Sequence, residues 1–202
     1  ELRVKWRGDD PSLRSQIEQI LTRIWQSDPL ARHFASSIGL EKNLPLSESL
    51  RRLHLLRDLK PGLFCVEKTW GFGVIQRLES FGGRVVIDFD KKPNHEMSLA
   101  YAAETLQRVP EDHLLVLRRL HPEELTRLIQ EQPDEVIRRI LRDYGPQPVP
   151  QLQEYATREL LGTMDWKIFW DSARRRLKKD PMVDIPTRRT EPVRLRERAR
   201  AF

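Results

Sequence analysis

Apolar side chains recur at spacings of three and four at Leu13, Ile17, Ile20, Leu21 and Ile24, and this predicts a helix over residues 12–26 with one buried face. Asp10-Pro11-Ser12 supplies its capped start. Asp28-Pro29 begins a second short helix that Gly39 ends, because proline suits a helix's first turn and glycine the position just past its last. A third follows Ser47, with Leu50, Leu53 and Leu56 on one side, and stops before Lys60-Pro61-Gly62. Residues 1–59 are thus expected to form an N-terminal helical segment.

From residue 60 the period falls to two and turn residues come at short intervals. Strands are expected over 63–67, 74–79, 84–89 and 95–99, with tight connections at Phe81-Gly82-Gly83 and Lys91-Lys92-Pro93-Asn94. Within 84–89 the alternation puts Val85, Ile87 and Phe89 on one face and Arg84, Val86 and Asp88 on the other. A helical turn over 100–106 and a closing strand at 107–109 complete the segment. Short strands in so few residues suit a small SH3-like barrel over 60–109, which closes on itself and leaves few open edges.

Beyond Pro110 the helical period returns. Leu114, Leu115 and Leu117 share one helix, and Pro122-Glu123-Glu124 and Pro133-Asp134-Glu135 each place proline and acids in the first turn of another. Pro146, Pro148 and Pro150 form a stiff connector to a helix over 152–161. A last helix runs from Asp165 towards Lys179, with Trp166, Phe169, Trp170, Ala173 and Leu177 on its apolar face. Residues 110–180 are expected as a helical segment and 181–202 as a basic extended tail. The fold class expected is α+β, mostly α: a small SH3/Tudor-like barrel flanked by helical segments.

Composition narrows the class. Of 202 residues 39% are apolar and 33% charged, which suits neither a fibrous nor a wholly disordered chain. No stretch approaches the roughly 18 to 20 apolar residues of a membrane span, and the lone Cys65 excludes an internal disulfide framework. A reducing, cytoplasmic location is the expectation, and Glu1 in place of an initiating Met suits a piece of a longer protein. The net charge of +6 is unevenly spread: residues 173–202 hold eleven basic and four acidic residues, so the remainder carries −1. The basic end could neutralise nucleic-acid phosphates, although cations at the last turn of a helix are also favoured by its dipole.

Few residues suggest catalysis. His33, His54, His95, His113 and His121 lack paired metal-ligand spacing. Cys65 alternates with Phe64 and Val66 in mid-strand, as a buried small hydrophobe does. Asp88, Asp90 and His95 fall across one hairpin, where carboxylates are ordinarily solvated. Trp70-Gly71-Phe72-Gly73 lies between strands instead of opening a helix, so it lacks the geometry of a phosphate loop. No catalytic residue, metal, cofactor or small-molecule substrate is expected. Trp70, Phe72, Phe81 and Tyr101 could make a docking rim or a cage for a methylated ammonium group, or Phe72 could plug the barrel and leave Trp70 exposed. Residues 61–109 hold six bases and six acids; so neutral a barrel favours a protein partner over nucleic acid.

The residues Lys60-Pro61-Gly62-Leu63, Trp70-Gly71-Phe72-Gly73-Val74-Ile75, Val85-Val86-Ile87-Asp88-Phe89 and Met97-Ser98-Leu99-Ala100 resemble the Tudor-like or SH3-like barrels of CarD regulators, the transcription-repair coupling factor and UvrD-type helicases. A wider stretch, from Ile87-Asp88-Phe89-Asp90 through Asp112-His113 to Asp165-Trp166, Phe169-Trp170 and Leu177-Lys178-Lys179-Asp180-Pro181, is similar to the long N-terminal extension of some bacterial Gre-type transcript-cleavage factors. The Gre hallmark, a coiled coil with an acidic tip, has no counterpart in this sequence, so no cleavage activity or catalytic residue carries over.

The resemblance implies a non-catalytic module that docks on RNA polymerase, with the β subunit as the expected partner. The expected protein-binding residues are Trp70, Phe72, Arg77, Arg84, Asp88 and Tyr101. The alternative is a nucleic-acid-binding module acting through Arg174, Arg175, Arg176, Lys178, Lys179, Arg188 and Arg189. A third reading, a Tudor-like reader of methylated side chains, requires Trp70, Phe72 and Tyr101 to converge on one pocket.

Overall fold

The computed structural model describes residues 44–79, 82–188 and 190–197, together with 12, 15–17, 19, 20, 23 and 37–39. The helix expected over 12–26 is described only at scattered positions, all helical, and most of the helix expected to start at Pro29 lies outside the described residues. The chain divides into two compact units, Glu1–Val109 and Pro110–Phe202.

In the first unit, α1 (Leu46–Asp58) buries Leu46, Leu55 and Leu56, while Arg51 and Arg52 both grip Glu48 one turn back. Five antiparallel strands follow: β1 (Phe64–Glu67), β2 (Gly71–Glu79), β3 (Arg84–Phe89), β4 (Lys92–Ser98) and, after the helix α2 (Leu99–Thr105), β5 (Gln107–Arg108). Their order is β4-β3-β2-β1-β5. The barrel expected from the sequence is not closed: β4 and β5 are the two edges of an open sheet, because the chain leaves β4 through α2 and returns to pair with β1. A register shift between Ile75 and Arg77 marks a bulge in β2.

One face of this sheet and the two helices share a core. Cys65, Ile75, Val85, Ile87, Phe89 and Met97 meet Leu55 and Leu56 of α1 and Leu99, Ala102 and Ala103 of α2. Ser98 caps α2 by accepting the Tyr101 N–H at 3.2 Å. At its other end the Arg51 guanidinium donates to the carbonyls of Ala103 (2.8 Å), Glu104 (3.2 Å) and Leu106 (3.4 Å), groups that the helix itself leaves unpaired.

The second unit opens with α3 (Leu114–Leu120), α4 (Pro122–Glu131) and α5 (Pro133–Tyr144), the latter two begun by proline and acids as the sequence predicts. The proline-rich connector is shorter than expected. β6 (Gln147–Pro148) is followed at once by α6 (Val149–Glu159), with Pro150 in its first turn. In α7 (Trp166–Leu177) the Asp165 carboxylate accepts the N–H groups of Lys167 (2.8 Å) and Ile168 (3.1 Å).

The segment expected as a tail is instead built into this unit. β7 (Val183–Asp184) and β8 (Pro192–Leu195) form a small sheet with β6 in the order β6-β8-β7, so β8 is the central strand. The reason is apolar: Val193 is fully buried and Val183 nearly so, joining Leu152, Phe169, Ala173 and Leu177 in one core. Arg196 fastens the end, its N–H donating to the Met182 carbonyl and its guanidinium to Asp184, both at 2.8 Å.

Candidate functional site

The turn between β1 and β2 is shaped by a carboxylate. Glu67, only 4% exposed, accepts the N–H groups of Thr69 (2.6 Å) and Trp70 (2.9 Å), and Gly71 then takes a positive φ of 80° that a side chain would resist. This presents Trp70, half-buried, beside the start of β4. The Lys92 ammonium lies 4.5 Å above the indole and the His95 ring 4.9 Å from it, while His95 also neighbours Phe89 at 6.1 Å. Burial, and then the Lys92 charge, push the His95 pKa below its usual value against the pull of Glu67, so the imidazole is neutral at pH 7.

The six residues expected to bind protein divide between the faces of the sheet. Phe72 is 2% exposed and stacks on Phe64 (5.9 Å) on the face opposite the shared core. Arg77, Arg84 and Asp88 belong to that same face. Arg77 stands opposite Val86, and Glu79 opposite Arg84, across β2 and β3. The arginines are exposed and paired: Arg77 with Glu79 and Arg84 with Glu96, each at 3.3 Å. Asp88 accepts the Asn94 N–H at 3.4 Å across the β3–β4 hairpin. Trp70 packs against the other face, and Tyr101 stands exposed on α2. The aromatic cage is therefore corrected. Phe72 is buried on the far face, Tyr101 stacks on neither ring among the described residues, and the place above Trp70 is taken by the chain's own Lys92.

In the second unit the basic residues also divide. Arg176 is structural, donating to the Glu131 carbonyl at 2.6 Å and facing Asp134 at 3.5 Å. Arg175 donates to the Asp171 carbonyl one turn back. Arg174, Lys178, Lys179 and Arg188 are exposed, and Arg189 lies outside the described residues. Sequence reading assigned Trp166 and Trp170 to the apolar face of α7. Both are half-buried, stacked at 5.5 Å and 11°, and they edge a cleft of about 460 Å³ that also touches Val149, Gln153, Lys167 and Ile185. The signal was present in the spacing: the row Trp166, Trp170 continues as Arg174, whereas the buried row is Phe169, Ala173 and Leu177. Among the described residues no group of acids, histidines and cysteine could hold a metal ion, and no helix is long and apolar enough to cross a membrane.

Residues 115–200 match a family model described as the GRAD helix-turn-helix domain, which covers the helices and small sheet of the second unit. Longer similarities reach into the first unit. The chain is 26% identical to transcription elongation factor GreA of Chlamydia pneumoniae over 157 residues, 77% of this chain and 22% of that protein. The GreA of Chlamydia trachomatis matches to the same extent. A putative GreA-associated domains protein of Treponema pallidum is 25% identical over 97% of this chain and 28% of its own length. The chain thus spans between a fifth and a third of the length of these relatives. No solved structure matches it.

Proposed function

We propose that the chain is a non-catalytic, RNA polymerase-associated module of a bacterial transcription elongation factor, acting in the cytoplasm and docking by protein–protein contact. The observation that carries this reading is the similarity of 77% of the chain to about a fifth of proteins named transcription elongation factor GreA. The strand order β4-β3-β2-β1-β5 with a bulged central β2 supports an SH3-like reading of the sheet. In this reading the module lies N-terminal to the cleavage domain and engages the β subunit.

The docking face we favour is the one that bears Arg77, Arg84, Asp88 and Glu96. Exposed pairs such as Arg84–Glu96 contribute little to stability, so they can exchange partners at low cost. Mixed charge of this kind sets register and specificity at an interface more than raw affinity. Purified polymerase should retain the chain at physiological salt, and Arg77→Glu with Arg84→Glu should lower that binding at least about tenfold by placing like charges across the interface. Absence of binding at physiological salt, or indifference to the double reversal, overturns the reading.

A further inference from the structure

Trp166 and Trp170 keep part of their ring surface available beside Val149, Ile185 and Pro186, in a volume of about 460 Å³. A cleft of that size suits a flat ring system of small-molecule dimensions. One turn further along α7, Arg174 is shared with a second hollow of about 440 Å³ lined by Asp171, Arg175 and Lys178. Across the two hollows stand four cations, Lys167, Arg174, Arg175 and Lys178, against the single carboxylate of Asp171. None of the four is in an ion pair among the described residues, in contrast to Arg176 on the same helix end.

We propose that this groove binds single-stranded nucleic acid, with a base seated in the Trp166–Trp170 cleft and the phosphates following Arg174, Arg175 and Lys178. Every base presents a π-face to an indole, and the stacking is tolerant of sequence. The unpaired cations neutralise phosphates and release counterions. A paired base has both faces covered by its neighbours in the duplex, so only an unpaired strand can place one in the cleft. The Gln153 amide and the Asp171 carboxylate line the same cleft and offer hydrogen bonds to a base edge. An acidic peptide would meet the cations but leave the stacked indoles unmatched, which is why nucleic acid is favoured. The proposal is independent of polymerase docking, which concerns the sheet of the first unit.

The test uses the whole chain with fluorescently labelled oligo-dT and oligo-U of about 12 nucleotides, the site size of one stacking groove, beside a duplex of equal length and polyglutamate. Anisotropy should show preference for the single strands, and the intrinsic indole emission should be quenched on binding. Trp170→Ala should weaken binding about tenfold, whereas Trp170→Phe should retain most of it. Because Trp170 is half-buried, the exposed pair Arg174→Gln and Lys178→Gln provides a second measure. It should weaken both strands equally and reduce the slope of log affinity against log salt by about 1.4, two phosphate contacts on a single strand. Tighter binding of the duplex or of polyglutamate, or affinity unchanged in both Trp170→Ala and the glutamine pair, overturns the proposal.

Discussion

At Gly73 a Cβ would lie 2.5 Å from Phe89 Cδ1 and 2.9 Å from Ile87 Cγ2, and both neighbours are fully buried. Gly73→Ala should therefore destabilise the first unit by about 1 to 3 kcal/mol, as overpacking does, and lower the urea midpoint. Cys65 sits on the paired strand opposite it, and burial pushes its thiol up to about 12. Iodoacetamide should leave Cys65 unmodified in the native protein and alkylate it rapidly once urea unfolds the first unit, since the thiolate is the nucleophile. Trp70 and Phe72 are two positions apart, but the turn at Gly71 lies between them, and strand alternation holds only on one side of a turn. That is why their separation onto opposite faces was not legible in the sequence, whereas the shared face of Arg84, Val86 and Asp88 was.

Among the elements, α1 and α2 are joined by one side chain. Arg51 closes the carbonyl end of α2 and also holds Glu48, so the hydrogen bond from Arg51, joined by that from Arg52 and opposed by desolvation, lowers the Glu48 pKa from 4.5 to about 2. A carboxylate whose pKa is depressed by folding stabilises above its unfolded value and loses that contribution as it is protonated. The contribution is thus complete above about pH 4.5 and vanishes as the pH falls towards 2. Glu48 is partly exposed, so it amounts to about 1 kcal/mol or less. Thermal melts of Glu48→Gln should match the unaltered protein at pH 2 and fall below it at pH 6. Helix starts were legible because Pro122 and Pro133, each followed by acids, leave one reading only. Elements set by distant partners were not. β4 begins at Lys92, ahead of the expected 95, because pairing with β3 tolerates Pro93 at a sheet edge. β8 is a strand because β6 and β7 lie ready on either side of it, which no local pattern announces.

For the whole molecule, the charge of +6 resolves into two surfaces of different character. The sheet face of the first unit carries balanced pairs, and the end of α7 carries Arg174, Arg175 and Lys178, which make no ion pair among the described residues. The two cores are separate sets of residues, one built on the five-stranded sheet and one on α3–α7 with the small sheet. Residues 110–202 produced alone should accordingly give a helical circular-dichroism spectrum and a cooperative melt. Val193→Asp in that fragment should abolish the transition, because it places an unpaired charge at a fully buried site.

The central position of β8 also orders events during synthesis. Chains emerge from the ribosome N-terminus first. The five strands of the first sheet are all translated by Arg108, two residues before the second unit begins at Pro110. The second unit has to wait: until Pro192–Leu195 leaves the exit tunnel, β6 and β7 have no strand between them and Leu152 and Phe169 lack the side chain that covers them. A premature stop a dozen codons upstream would release a protein with a complete first sheet and an open apolar second core, the kind of species that chaperones and proteases remove.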